Sequence, residues 1–237
     1  MSGHSKWHNI QVRKGKQDTK RANIFTKLAR IITVSAKQGR GDPTTNFKLR
    51  LAIDKAKQAS MPKENIQRAI DKGTGKGGGE ELHEVTYEGK GPGGIDIIVE
   101  VLTDSKNRTA SEIKHIFTKN GGAIGTPGSV AWNFVQKGLV VLSEKGEDKV
   151  LEAMGIDGVE DVEEDEGKIN IYTRPKELAQ VNKALESKGY KIEKAELLLD
   201  PKNIVKLDED KSNQALKLLE ALDEYDDTQN VYTNLAS

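Results

Sequence analysis

No cysteine occurs among the 237 residues, so a disulfide framework, a thiolate metal cage and a cysteine nucleophile are all excluded. No apolar run approaches the roughly 18–20 residues that a membrane-spanning helix requires, and no membrane partner is expected. The opening Met1-Ser2-Gly3-His4-Ser5-Lys6-Trp7 lacks the apolar core of a secretory signal. These absences point to the reducing, aqueous cytoplasm. Of the four histidines only His4 and His8 stand close together, and no third ligand is near them. A zinc site wants three or four defined ligands, so neither metal nor cofactor is expected. No serine has the context of a nucleophile elbow and no acid pair stands out from the acidic background. Neither an enzyme nor a small-molecule substrate is therefore indicated.

What the chain does have is charge, at 31% of residues, with a formal net of zero. That zero hides an asymmetry. Residues 1–76 hold 18 of the 37 Lys and Arg but only 5 of the 37 Asp and Glu, a net of +13 that the remainder cancels with −13. Such segregation suggests a polyanion partner for the basic end, or docking of one domain on another.

Hydrophobic content of 35% still supports ordinary cores, and the length suggests more than one domain. Residues 1–17 show no period and read as a basic arm. From about Asp18 a helix begins, with Phe25, Leu28, Ala29, Ile32 and Ala36 on one stripe and Lys16, Lys20, Lys27, Arg30 and Lys37 on the other side. Two glycines and Pro43 end it. Helices are expected over Thr45–Ser60 and from Pro62 to Gly73, followed by a glycine linker. The period then changes. Val85–Glu88 and Ile95–Leu102 read as strands, Arg108–Lys119 as a helix, and Ser129–Phe134 as a strand.

From Gly138 the chain runs strand-helix-strand-strand-helix-strand, the order of a ferredoxin-like sandwich. Strand, helix, strand follow again over Ile204–Leu207, Lys211–Tyr225 and Gln229–Tyr232. The expected fold is α+β and multidomain: an N-terminal three-helix domain and two ferredoxin-like α+β domains, one inserted in the other. The expected boundaries are 1–78 for the arm and helices, 79–135 with 200–237 for a discontinuous α+β domain, and 136–199 for the insertion.

Two segments match G-x-G-x-x-G, one from Gly73 and one from Gly89. A dinucleotide site needs a strand before and a helix after, and neither has both. The acidic run Glu160–Glu166 reads as a solvated strand edge and turn, or as a nucleic-acid mimic docking on the basic domain.

The N-terminal constellation carries more. Lys6, Trp7, His8, Arg13, Lys14, Lys16, Lys20 and Arg21 interleave a large aromatic with dense positive charge, and Lys27, Arg30 and Lys37 continue it along the helix. Phosphates need cations and unpaired bases need flat faces, so these residues are the candidate nucleic-acid contacts. A second candidate is the loop Gly121, Gly122, Gly125, Thr126 and Gly128, where few side chains block close approach to a folded partner.

Several strings in order resemble the YebC family over nearly the whole chain: Gly3-His4-Ser5-Lys6-Trp7, Ile24-Phe25-Thr26-Lys27-Leu28, Met61-Pro62-Lys63-Glu64-Asn65-Ile66, Tyr87-Glu88-Gly89 with Gly91-Pro92-Gly93-Gly94, and Asp226-Asp227-Thr228-Gln229-Asn230-Val231-Tyr232 with Asn234. Thr228 departs from the pattern, since the family usually has an aliphatic residue there. The resemblance implies three domains, a cytosolic location and no catalysis. Family members are described as DNA-binding transcriptional regulators and as ribosome-associated factors that assist translation of difficult sequences. A mitochondrial branch activates translation of a cytochrome oxidase subunit. Without an Arg-rich presequence this chain looks like the bacterial form.

The resulting expectation is a non-enzymatic nucleic-acid-binding regulator of gene expression, with ribosomal RNA and the ribosome favoured as partners. The arm suits irregular RNA better than a regular groove, and no recognition helix stands out in residues 18–72. DNA-binding transcription control is the alternative. A protein-interaction module docking on an acidic partner is the second alternative.

Overall fold

The computed structural model describes residues 19–76, 81–143, 146–165 and 167–236. Three helices come first: α1 (Thr19–Gly39), α2 (Phe47–Gln58) and α3 (Lys63–Gly73). The expected stripe of α1 is the one buried. Leu28, Ile32 and Ala36 meet Leu49, Ala52, Ile53 and Ala56 of α2 and Ile66 and Ala69 of α3, with Phe25 and Ala29 partly covered.

Local chemistry sets the ends of these helices. The Asn46 side chain accepts the Leu49 N–H at 3.0 Å, so α2 starts at Phe47 rather than at Thr45. Its amide also donates to Ser35 O at 2.8 Å and Arg40 O at 2.9 Å, which ties the start of α2 to the end of α1. Gly73 closes α3 where a Cβ would stand 2.2 Å from Thr33 O. Helices α1 and α3 therefore pack closer there than any side chain would allow.

The remaining elements are β1 (His83–Lys90), β2 (Asp96–Thr103), α4 (Lys106–Lys119), β3 (Ala123–Ile124), β4 (Phe134–Leu142), α5 (Glu147–Met154), β5 (Val159–Asp165), β6 (Lys168–Thr173), α6 (Leu178–Ser187), β7 (Ile192–Pro201), α7 (Glu209–Glu224) and β8 (Thr228–Thr233). They form two four-stranded antiparallel sheets, and the fold class is α+β. Two compact units result, residues 1–134 with 201–237 and residues 135–200.

In the first unit the strand order is β3-β1-β2-β8. Ile97, Val99 and Val101 alternate onto one face of β2, where Ile113 and Phe117 of α4 and Ala215, Leu218, Leu219 and Leu222 of α7 cover them. In the second unit the order is β5-β6-β4-β7, that of a ferredoxin-like sheet. Its central β4 is buried without a break over Leu139–Leu142, as expected for a strand covered on both faces. Glu160 to Asp165 of the acidic run fall on β5 at the sheet edge, where charge discourages pairing with another sheet.

Two expected strands are not found. Ser129–Phe134 forms a turn and a 3-10 turn at Ala131–Asn133, and β4 begins only at Phe134. The Val130 and Ala131 N–H groups are drawn to one carboxylate, Glu88, and those of Ser129 and Asn133 close turns on Thr126 O and Val130 O, so they are lost to any ladder. Ile204–Leu207 contributes a single parallel bridge, Val205 to Leu235, because Asn203 before it is held to Asn133.

Candidate nucleic-acid interface

Lys6, Trp7, His8, Arg13, Lys14 and Lys16 lie outside the described residues. Lys20 and Arg21 fall in the first turn of α1, and their side chains are likewise outside the description. The structure therefore speaks to the cations from Lys27 onward.

Two of these face inward. Lys27 Nζ donates to Asp223 O at 2.5 Å, and burial pushes its ammonium below the ordinary value despite the pull of Asp223 and Asp226. Arg30 Nη1 donates to Asp226 O at 2.9 Å and to Asp227 Oδ1 at 2.7 Å. The middle of α1 is thereby fastened to the corner between α7 and β8. Lys37 remains outside, in an exposed pair with Glu81 at 2.8 Å.

Asp227 is the hub of that corner. Its side chain is only 3% exposed, yet it receives Arg30, Arg108 Nη2 at 3.2 Å, Thr109 Oγ1 at 2.6 Å and Tyr225 OH at 3.3 Å. Burial alone would raise its pKa. The donors Thr109 and Arg108, with the Arg30 charge, outweigh burial and hold the carboxyl below its usual range. Arg108, paired also with Asp104 at 2.6 Å, is held still more firmly protonated.

The outward cations of the helical region are a different set. Arg40, Lys48, Lys63, Arg68, Lys72 and Lys76 are exposed and form no ion pair with a described residue. Lys48, Lys63, Arg68 and Lys72 share their helices with apolar stripes that face one another, so packing leaves their charge on the solvent side, while Arg40 and Lys76 follow the ends of α1 and α3. Helical phase separates them from the core, but it does not tell a paired cation from an unpaired one.

The glycine loop is braced rather than slack. Glu88, itself 8% exposed, accepts N–H groups from Gly128 at 2.7 Å and from Val130 and Ala131 at 2.8 Å each. Burial opposes the charge of Glu88, but these three donors together keep its carboxyl below the usual range. Gly128 has φ of 86°, a left-handed conformation that suits glycine. Gly121, Gly125, Thr126 and Gly128 are exposed, and Gly122 is half-buried beside Lys90 O.

At the loop's end Trp132 is 60% exposed, its indole N–H donating to Ser129 O at 3.1 Å. The next residue, Asn133, is locked by donating to Asp96 Oδ2 at 2.8 Å and accepting from Asn203 N at 3.0 Å. Asn234 joins the cluster by accepting the Asp96 N–H at 2.7 Å. Sequence reasoning missed Trp132, reading it as part of a strand. The signal available was an aromatic four residues after the last glycine of a glycine-rich stretch. Among the described residues no cluster of three or more metal-ligating side chains is assembled, and no helix is long and apolar enough to cross a membrane.

The braced corner, the capped loop and the final clamp rest on Asp227, Glu88 and Asn234, residues of the strings that carried the resemblance. Residues 5–76 match the TACO1/YebC protein N-terminal domain, and residues 82–235 match the TACO1/YebC second and third domain. The chain belongs to the TACO1/YebC family. Two bacterial relatives of the family are named "probable transcriptional regulatory protein". One, from Pelotomaculum thermopropionicum, is 48% identical over 99% of this chain and 98% of its own. Another, from Caldanaerobacter subterraneus, is 50% identical with the same coverage. A crystal structure of a conserved hypothetical protein from Aquifex aeolicus superimposes with a TM-score of 0.87 at 44% identity, covering 94% of this chain and 93% of that one.

Proposed function

We propose that this chain is a non-enzymatic regulator of gene expression that binds RNA and acts on translation at the ribosome. The observation that carries the reading is the solvent side of the helical region, where Arg40, Lys48, Lys63, Arg68, Lys72 and Lys76 stand unpaired with described residues. Cations arranged so are available to displace counterions from phosphates. With Lys6, Trp7, His8, Arg13, Lys14, Lys16, Lys20 and Arg21 ahead of them, they make a basic tract with an aromatic in it. Trp132 beside the braced loop offers a further flat face for an unstacked base.

RNA is favoured over duplex DNA because α1, the longest basic helix, has Lys27 and Arg30 turned into the protein. Those two cations are thereby engaged within the protein and are not available to the phosphates or base edges of a major groove. The relatives' name favours the second reading, a DNA-binding transcriptional regulator. Sedimentation with ribosomes from a lysate at low and moderate salt tests the two, alongside gel shift of duplex DNA. Co-sedimentation that survives moderate salt and requires residues 1–21 supports the translation reading. A chain that stays in the supernatant but shifts duplex DNA replaces it with transcription control.

A further inference from the structure

A cleft of about 420 Å³ opens between α1, α3 and the segment leading into β1. Its volume lies in the lower part of the roughly 300–1,000 Å³ range of small-molecule sites. The walls are of two kinds. Phe25, Met61, Ala69 and Leu82 supply apolar surface, with the Phe25 ring only partly covered by the helical core. Arg68 and Lys72 stand one turn apart on α3, both exposed, and neither pairs with a described residue.

The other charged groups of the cleft are already engaged. Arg30 is held by Asp227. The acid Asp104 is matched by Arg108 at 2.6 Å, so it does not cancel the field of Arg68 and Lys72. Asn65 adds a half-exposed amide whose donor and acceptor have no side-chain partner among the described residues. Apolar walls, an accessible aromatic ring, one amide and two adjacent cations match a single chemical unit: a flat heterocycle with a phosphate attached.

We propose that this cleft takes one unpaired nucleotide of the RNA bound by the chain. The base enters against Phe25 and presents an edge to Asn65, while its phosphate meets Arg68 and Lys72. The inference rests on the RNA reading above and adds to it a defined site for a splayed-out base. Phosphate contacts alone position a strand, whereas a base in a pocket requires that the strand be unpaired there. The cleft therefore sets a preference for loops, bulges or ends over continuous duplex.

The test compares an RNA hairpin carrying an unpaired loop with a fully paired RNA duplex of equal length, using the full chain. Phe25→Leu keeps apolar volume but removes the ring, and the double variant Arg68→Gln, Lys72→Gln changes only exposed side chains. Phe25→Leu should weaken hairpin binding roughly ten-fold and leave duplex binding unchanged. The double variant should lower the salt slope for the hairpin by about 1, the contribution of the one phosphate both cations meet. A 4-thiouridine in the loop should crosslink to a peptide containing Phe25 or Met61. Equal losses on hairpin and duplex, or crosslinks confined to other peptides, overturn the pocket while leaving RNA binding intact. A wild-type chain that binds neither RNA overturns both.

Discussion

Thr109→Val and Thr228→Val make the same chemical change, a hydroxyl for a methyl, at two sites that are both fully buried at 0% exposure. The structure assigns them opposite signs. Thr109 Oγ1 lies 2.6 Å from Asp227 Oδ2 and 2.8 Å from Thr103 Oγ1. The carboxylate is the stronger acceptor for its one proton, and the Thr103 oxygen beside it already accepts the Ser105 N–H at 2.9 Å. Valine there leaves a buried charge short of a donor, a loss of about 1.5–3 kcal/mol. The Thr228 hydroxyl, by contrast, meets no hydrogen-bond partner among the described residues. An unbonded buried hydroxyl costs about 1–3 kcal/mol, so valine should stabilise by about 1 kcal/mol or more. The two variants should therefore differ by about 3–5 kcal/mol, most directly seen as urea midpoints followed by circular dichroism. At about 2–4 °C per kcal/mol for a protein of this size, their melting midpoints should separate by roughly 10 °C. A Thr228→Val protein less stable than wild type would refute the argument, because the hydroxyl would then have a partner in solution.

The division between the cations of the arm and first turn and those turned inward on α1 gives a second expectation. Neutralising Lys14, Lys16 or Lys20 to Gln should reduce the salt slope of nucleic-acid binding by about 1 each. Arg30→Gln should leave that slope unchanged and instead lower the melting midpoint, since it deprives buried Asp227 of a partner. A reduced slope for Arg30→Gln in filter binding would return it to the interface. The third expectation concerns pH. Asp227 and Glu88 both have folded pKa values below their ordinary ones, so the stability they contribute is complete above the unfolded values of about 4 and is lost as pH falls through the folded values. Urea midpoints measured from neutral pH to about pH 3 should fall, and Asp227→Asn or Glu88→Gln should flatten the fall. Curves parallel to wild type would show that other groups govern acid unfolding.

Much of the architecture was legible because burial has a period. Leu28, Ile32 and Ala36 on α1, and the unbroken apolar run of β4, announce a helix with one covered face and a strand with two. Pro62 marks a helix start by local chemistry alone. The two errors arose where a distant side chain captured the backbone. Nothing within Ser129–Phe134 reveals that Glu88, more than forty residues earlier, takes the N–H groups of Val130 and Ala131. Nothing near Ile204 reveals the pull of Asn133.

The candidate site divides along the same line. Composition determined by itself that the first third is basic and that no thiol chemistry is present, because both follow from counting side chains. Helical phase separated the cations of α1 from its apolar stripe. Only the tertiary structure decided that Lys27 and Arg30 are partners of Asp223 and Asp227, close to two hundred positions away, while Arg68 and Lys72 keep their charge for solvent. Phase along one helix says which residues leave the core. Whether a second element waits there with a carboxylate depends on how the chain returns, and that is set by long-range packing.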